Sequence, residues 1–190
     1  MPSIIQADQL KSADGNTTYL NNGTLSNLTF PGGTVVGYEK NQTVISSAQS
    51  GTETYTDITG SSITYTPTTG ASYIVYECSF VESANGSSVN PLFGFRFLVD
   101  GSITKNQDSY SPYIDGVGSS YSGIRKIHRM IYSASGWTTN KVVKMQFRIY
   151  SSTGNGGDLH RHYYDYTTDG SVMGTTDRLT DVDVTIYSVM

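Results

Sequence analysis

Residues 141–150 read KVVKMQFRIY, and this stretch decides the fold class. From the third residue onward, every second position is apolar, at Val143, Met145, Phe147 and Ile149. Successive side chains of a strand point to opposite faces, so the alternation predicts a strand with one buried and one solvated face.

The same alternation recurs along the chain. It predicts further buried faces within 72–81, 92–99 and 181–189, formed by Ile74, Tyr76, Cys78, Phe80, Phe93, Phe95, Phe97, Val99, Val182, Val184 and Ile186. Less regular strands are predicted within 34–48, 53–65, 124–134 and 159–168, with a tight turn at 100–101 and a long surface loop over 102–123. Roughly eight to ten strands at this spacing predict an all-β chain, an antiparallel β-sandwich or jelly roll.

Composition excludes several classes of protein. Charged residues make up 15% of the chain, the net charge is -4, and no long basic run occurs, so nucleic-acid binding is not expected. The short basic stretch 125–129 is interpreted as the solvated face of a strand. No apolar run approaches the length of a membrane span, so membrane insertion is not expected either. The single cysteine, Cys78, excludes an intramolecular disulfide and is predicted to be a buried thiol.

The first 33 residues differ from the rest of the chain. Turn signals are frequent there, yet apolar residues continue between them, which favours an extended N-terminal arm that docks on something larger. A disordered tail is the alternative. The docking residues are predicted to be Ile4, Ile5, Leu10, Leu20, Leu25, Leu28 and Phe30. The remaining residues, 34–190, are predicted to form the jelly-roll β-sandwich domain.

Two patterns could carry binding chemistry. His160 and His162 are two residues apart, which places both on one face of a strand, so three chains around a threefold axis could supply six nitrogens to a metal ion. Two exposed histidines are the alternative, and no cofactor is otherwise expected. Aromatic residues in or beside the loops 102–123 and 133–140 are candidates for contact with sugars or proteins, although partial burial is the alternative. These residues are Tyr110, Tyr113, Tyr121 and Trp137.

Signals for catalysis are weak. Asp181 and Asp183 share a face of the last strand and could flank a sugar or a calcium ion, whereas a solvated face is the alternative. No nucleophile elbow, phosphate-binding loop or dinucleotide fingerprint occurs, so the chain is interpreted as non-enzymatic.

Four segments resemble structural proteins of marine bacteriophages, cyanophages especially. SIIQADQLKSADG at 3–15 and LNNGTLSNLTFPGG at 20–33 are similar to the N-terminal segment of such proteins. TYTPTTGASYIV at 64–75 and FRFLVDG at 95–101 are similar to the opening and the strand-turn of a jelly-roll module in phage fibre and appendage proteins. The ending at 187–190 departs from that module, which usually closes on an acidic residue and isoleucine.

The resemblance implies a virion structural protein, located in the virion and assembled as a homotrimer with its sister chains. The arm would join other virion proteins, and the jelly roll would project as a trimeric fibre-like or spike-like appendage whose exposed loops contact host surface glycans. It does not distinguish tail, collar and capsid. Two alternatives remain open: a capsid decoration (cement) protein that stabilises the head, and a small glycan depolymerase that uses Asp181 and Asp183.

Overall fold

The structure is a computed structural model that describes residues 9–11, 18–21, 24–25, 32–85, 92–110, 123–150, 156–162 and 178–190. Every regular element in these ranges is a β-strand. The strands are β1 (Gln9–Lys11), β2 (Thr18–Asn21), β3 (Thr24–Leu25), β4 (Val35–Thr43), β5 (Gln49–Ser50), β6 (Thr56–Asp57), β7 (Ile63–Tyr65), β8 (Tyr73–Asn85), β9 (Leu92–Val99), β10 (Ser102–Tyr110), β11 (Gly123–Ser133), β12 (Lys141–Ile149), β13 (Gly156–Leu159), β14 (Arg161–His162), β15 (Arg178–Leu179) and β16 (Val182–Val189). Within these ranges, no helix has the length and hydropathy needed to cross a membrane.

The chain divides into two compact units, residues 1–34 together with Met190 and residues 35–189. In the first unit, β1, β2 and β3 form an antiparallel sheet in that order. This part of the chain therefore contains short strands that pair with one another.

The predicted docking residues lie in or around this small sheet. The register places Leu10 opposite Leu20 and Leu20 opposite Leu25, so the three leucines form one row across the strands. Ile4, Ile5, Leu28 and Phe30 lie outside the described residues.

The second unit contains two antiparallel sheets. In sheet I the strand order is β10-β9-β12-β6, and β7 pairs with β12 beyond the end of β6. In sheet II, β11 pairs along one edge of β8, whereas β16 and β13 pair with successive halves of its other edge. β4 and β5 complete the sheet beyond β16 and β13. The predicted all-β, antiparallel sandwich is confirmed.

The core lies between the sheets and is formed by the alternating residues. All eleven residues predicted on the faces of β8, β9 and β16 are buried, as are Val143, Met145, Phe147 and Ile149 of β12. Edge contacts such as Tyr76 on Phe97, with ring centroids 6.1 Å apart, fill the space between the two sheets. Cys78 is buried as predicted, and desolvation raises the pKa of its thiol to about 12.

The prediction of a long surface loop at 102–123 is wrong in its first part. Asp100 and Gly101 have φ angles of 47° and 79°. Two consecutive positive φ angles are typical of a two-residue hairpin turn, and this turn joins β9 to β10. β10 is the last strand of sheet I in the described chain, and Ile103 is 52% exposed. Because such a strand has a polar sequence, the alternation pattern did not identify it. Residues 111–122 lie outside the described residues.

Candidate functional site

A cavity of about 310 Å³ lies at one end of the sandwich, between the connection from β7 to β8 and the connection from β11 to β12. Residues 66–71 and 134–138 line it. The pairing of Tyr73 with Ser133 at the ends of β8 and β11 brings the two connections together. This loop pocket has the size of a small-ligand site.

Trp137 lines the loop pocket, but its side chain is buried, with 5% of its surface exposed. The prediction of an exposed contact residue is therefore wrong in this respect. The backbone turns back at Gly136, and Trp137 N–H donates to the carbonyl oxygen of Ala134 at 3.1 Å, which folds the indole inward. The ring packs edge-on against Tyr132 with centroids 6.1 Å apart, and its Nε1 donates to Thr139 O at 2.7 Å.

The other side chains of the loop pocket are small, and many carry hydroxyl groups. Thr66 Oγ1 donates to Asn140, and Thr68 Oγ1 donates to Val36 O at 3.1 Å. Thr69, Ser135 and Thr138 are exposed, and their hydroxyl groups have no hydrogen-bond partner in the described part of the chain. These three hydroxyls can both donate to and accept from a ligand.

A buried polar cluster occupies the opposite end of β8 and β11. Glu82 is fully buried and His128 is 1% exposed; Glu82 Oε1 lies 2.8 Å from His128 Nε2, and Lys126 Nζ donates to Glu82 Oε2 at 2.8 Å. The His128 ring stacks on Phe80 at 4.8 Å between centroids and lies 4.4 Å from Phe95. We name Glu82, His128 and Lys126 the Glu82 cluster.

The Glu82 cluster was not predicted from the sequence. Alternation along β8 puts Glu82 on the same inner face as Phe80, and the register of β11 puts Lys126 and His128 opposite Phe80 and Cys78. Only the strand pairing brings acid and bases together, so no local pattern could have identified them. A carboxylate–histidine pair can serve acid–base chemistry, but this one is closed to substrate, so we assign it to the fold.

The basic stretch 125–129 is thus only half solvated. Arg125 and Arg129 point outward, where Arg125 pairs with Asp183 at 3.0 Å and Arg129 Nε donates to Glu77 at 2.6 Å. Lys126 and His128 point inward, to the Glu82 cluster. Strand alternation divides a run of charge between two environments.

The acidic pair of β16 is engaged by neighbouring side chains. Asp183 forms an ion pair with Arg125 and a longer one with Lys40, whose Nζ lies 3.7 Å from Asp183 Oδ1. Asp181 Oδ2 accepts from Gln42 Nε2 at 3.3 Å. Two carboxylates engaged in this way suit a surface network of charges.

The histidine pattern is not arranged as the metal hypothesis requires. His160 has a φ of 69° and lies at a bend between β13 and β14, so it does not share one strand face with His162 and the predicted strand 159–168 is interrupted. Its ring is fully buried beside Phe80, and neither ring nitrogen has a hydrogen-bond partner in the described residues. A ring buried within its own chain cannot face a symmetry axis. The side chain of His162 lies outside the described residues.

Burial explains the electrostatics of His160. Loss of hydration lowers the pKa of its imidazole to about 4, and the charge of Arg125 adds to the effect. The ring is therefore neutral at pH 7. Over the described ranges, no three side chains of histidine, cysteine, aspartate or glutamate converge on one point where a metal could bind.

The remaining predicted contact residues are not located by the structure. Tyr110 ends β10, but its side chain is outside the described residues, and Tyr113 and Tyr121 lie outside them entirely. Of the four predicted contact residues, only Trp137 is therefore placed, and it lines the loop pocket.

Comparison with known proteins identifies no family. No protein-family model matches the sequence, and no curated protein matches it. Solved structures that match include dimeric latent PorU from Porphyromonas gingivalis, with 11% identity and a TM-score of 0.32. The match covers 84% of this chain but only 14% of the PorU chain, and a likeness at this level carries no argument about function.

Proposed function

We propose that the protein is a non-enzymatic phage virion structural protein, a trimeric appendage attached through residues 1–33 that contacts host surface glycans. The resemblance of four segments to phage structural proteins supports the virion assignment. The loop pocket is the observation that carries the glycan contact. Its lining residues include no acidic, basic or histidine side chain, which suits binding rather than catalysis.

A neutral sugar fits the chemistry of the loop pocket. Sugar hydroxyls need partners that both donate and accept, and Thr69, Ser135 and Thr138 offer three such groups. Trp137 also lines the loop pocket, with 5% of its surface exposed. The volume of about 310 Å³ lies at the small end of ligand sites, in keeping with one or two sugar units.

Two exposed isoleucines on the outer face of β11, which also carries Arg125 and Arg129, support contact with sister chains. Ile127 and Ile131 of β11 are 67% and 63% exposed, and the outer edge of β11 has no strand partner among the described residues. A sister chain would cover both side chains and the strand edge. Light scattering of the full chain should give three times the monomer mass, and Ile127→Glu with Ile131→Glu should give a folded chain of lower mass. A wild-type chain that is monomeric at micromolar concentration would contradict the trimer.

Labelling of intact particles tests the virion assignment. Gold-labelled antibodies against residues 34–190 should decorate purified virions, and soluble protein added to host cells should reduce adsorption. Removal of residues 1–33 should leave a folded protein that no longer joins particles. Absence of the protein from virions would overturn the proposal. Particles that lack the protein, break at lower temperature and yet adsorb normally would favour the cement protein.

A further inference from the structure

The outer face of sheet I holds two arginines that differ from the others. Of the five arginine side chains that the structure describes, Arg125, Arg129 and Arg161 each pair with a carboxylate. Arg96 and Arg148 have no carboxylate within ion-pair distance among the described residues. An acidic chain of net charge -4 thus keeps two partly buried guanidinium groups without a carboxylate partner on one face, where Arg96 Nε donates to the amide oxygen of Gln146 at 2.7 Å.

Strand register brings these two arginines together. Arg148 of β12 lies opposite Gly94 of β9, and Arg96 of β9 lies opposite Gln146 of β12. Their sequence neighbours, such as Phe95, point into the core, so all four residues face outward. The two guanidinium groups therefore occupy neighbouring rows of the same solvent-facing surface.

Two tyrosine rings hold the guanidinium groups. Arg96 Cζ lies 4.1 Å from the centroid of the Tyr55 ring. Arg148 Cζ lies 5.1 Å from the same ring and 4.5 Å from the Tyr150 ring. Arg148 Nε is buried without a hydrogen-bond acceptor in the described chain, so ring contacts rather than a bond at this atom fix the cation. We name Tyr55, Arg96, Arg148 and Tyr150 the Tyr–Arg face.

The absence of a side chain at Gly94 lets residues of the Tyr–Arg face approach one another. A Cβ atom there would lie 3.1 Å from Tyr55 Oη, 3.3 Å from Tyr150 Cε2 and 3.4 Å from Arg148 Cγ. The missing side chain lets these three groups converge over the strand. A glycine within a strand weakens it, so a packing reason of this kind is informative.

The nearby acids are already engaged. Asp57 accepts from Lys144 Nζ and from Gln146 Nε2, each at 2.6 Å, and the bond from Lys144 holds the pKa of Asp57 below its usual value. Asp108 accepts from the Tyr150 hydroxyl at 3.0 Å. Of the residues named here, Arg96, Arg148 and Lys144 are cations and Asp57 and Asp108 are anions.

We propose that the Tyr–Arg face binds an acidic oligosaccharide that carries uronate carboxylates. Planar guanidinium groups match carboxylates through paired hydrogen bonds, and tyrosine rings offer flat surfaces for sugar rings. Because the rings already hold the cations, little side-chain freedom is lost on binding. This site is separate from the loop pocket and does not depend on it.

Calorimetric titration with trigalacturonate, and with its fully methyl-esterified form, tests the proposal. The acid should bind in saturable fashion, and the neutral ester should not bind. The double variant Arg96→Gln with Arg148→Gln should lose tenfold or more in affinity, since it removes both groups that can form charge-assisted hydrogen bonds with a carboxylate. Circular dichroism and thermal unfolding would check that the variant folds.

Arg125→Gln with Arg129→Gln is the matched control, because it removes two positive charges from sheet II. It should leave trigalacturonate affinity within about twofold of wild type at 150 mM salt, where exposed charges beyond a Debye length of about 8 Å are screened. Equal loss in this control would show general attraction of polyanions, and equal affinity for the methyl ester would show that charge is not recognised. Either result, or no saturable binding of the acid, would overturn the proposal.

Discussion

The two ends of the β8–β11 pair treat polar residues in opposite ways. At one end, Glu82 and His128 are buried and bonded to each other. At the other end, the connection that precedes β8 and the connection that follows β11 carry exposed hydroxyl groups around a cavity. Polar side chains alone therefore do not identify a ligand-binding site in this protein. Of these two ends, only the loop pocket combines access to solvent with vacant hydrogen-bonding capacity among the described residues.

The largest expected effect is on the free energy of unfolding, when the Glu82 cluster at the buried end of the β8–β11 pair is disrupted. Glu82→Ala removes the acceptor of both His128 and Lys126, and breaking a buried pair from one side typically costs about 3–5 kcal/mol. Urea unfolding, followed by the fluorescence of the single tryptophan, should show this loss in the free energy of unfolding. Glu77→Ala is the control, because its partner Arg129 is exposed and such pairs contribute about 0–1 kcal/mol. Equal losses in the two variants would remove the distinction between buried and surface acids.

The second effect concerns pH and the buried ring of His160. Its pKa is about 4 in the folded chain and about 6.5 when exposed, so the folded state binds the proton more weakly. Stability is therefore unaffected above pH 6.5 and falls as the pH drops towards 4, by up to about 3 kcal/mol.

Comparison with His160→Asn isolates this effect, since asparagine tolerates the positive φ of 69°. Free energies of unfolding for the two proteins, measured from pH 7.5 to 4, should converge as the pH falls. Parallel curves would mean that the pKa of His160 is the same in the folded and unfolded states.

The smallest effect on stability is expected at the open end of the β8–β11 pair, which is the end that carries the loop pocket. Thr69→Val with Thr138→Val removes two exposed hydroxyl groups of the loop pocket, and surface changes of this kind usually alter unfolding by less than about 0.5 kcal/mol. The same urea experiment measures it. A loss comparable with that of Glu82→Ala would show that the loop pocket is a structural element and would end the contrast between the ends.

The local sequence pattern predicts the sandwich because apolar and polar residues alternate strictly along its central strands. Phe95 and Met145 could be assigned to the core from period-two spacing alone. β10 could not be found, since an edge strand with polar residues shows no alternation. The bend at His160 was also hidden, because a positive φ is rare for a residue other than glycine.

The sites depend on strand register, which one sequence does not specify. Trp137 was identified as a contact residue from its loop, but its burial follows from the turn at Gly136. Glu82 and His128 are 46 residues apart, and Tyr55 and Arg148 meet only through the pairing of β6 with β12. Long-range pairing therefore decides which polar residues become buried, and which remain available to a ligand.

Fluorescence titration of Trp137 tests the central claim, that the open end is the binding end. Trp137 is the only tryptophan, so a panel of neutral mono- and oligosaccharides can be added to the full chain without other indole signals. We expect a saturable change for at least one sugar, abolished by Thr69→Val with Thr138→Val and preserved in the exposed control Thr64→Val of β7. A panel that produces no change, or a change that survives the loss of both hydroxyl groups, would show that this end does not bind sugar.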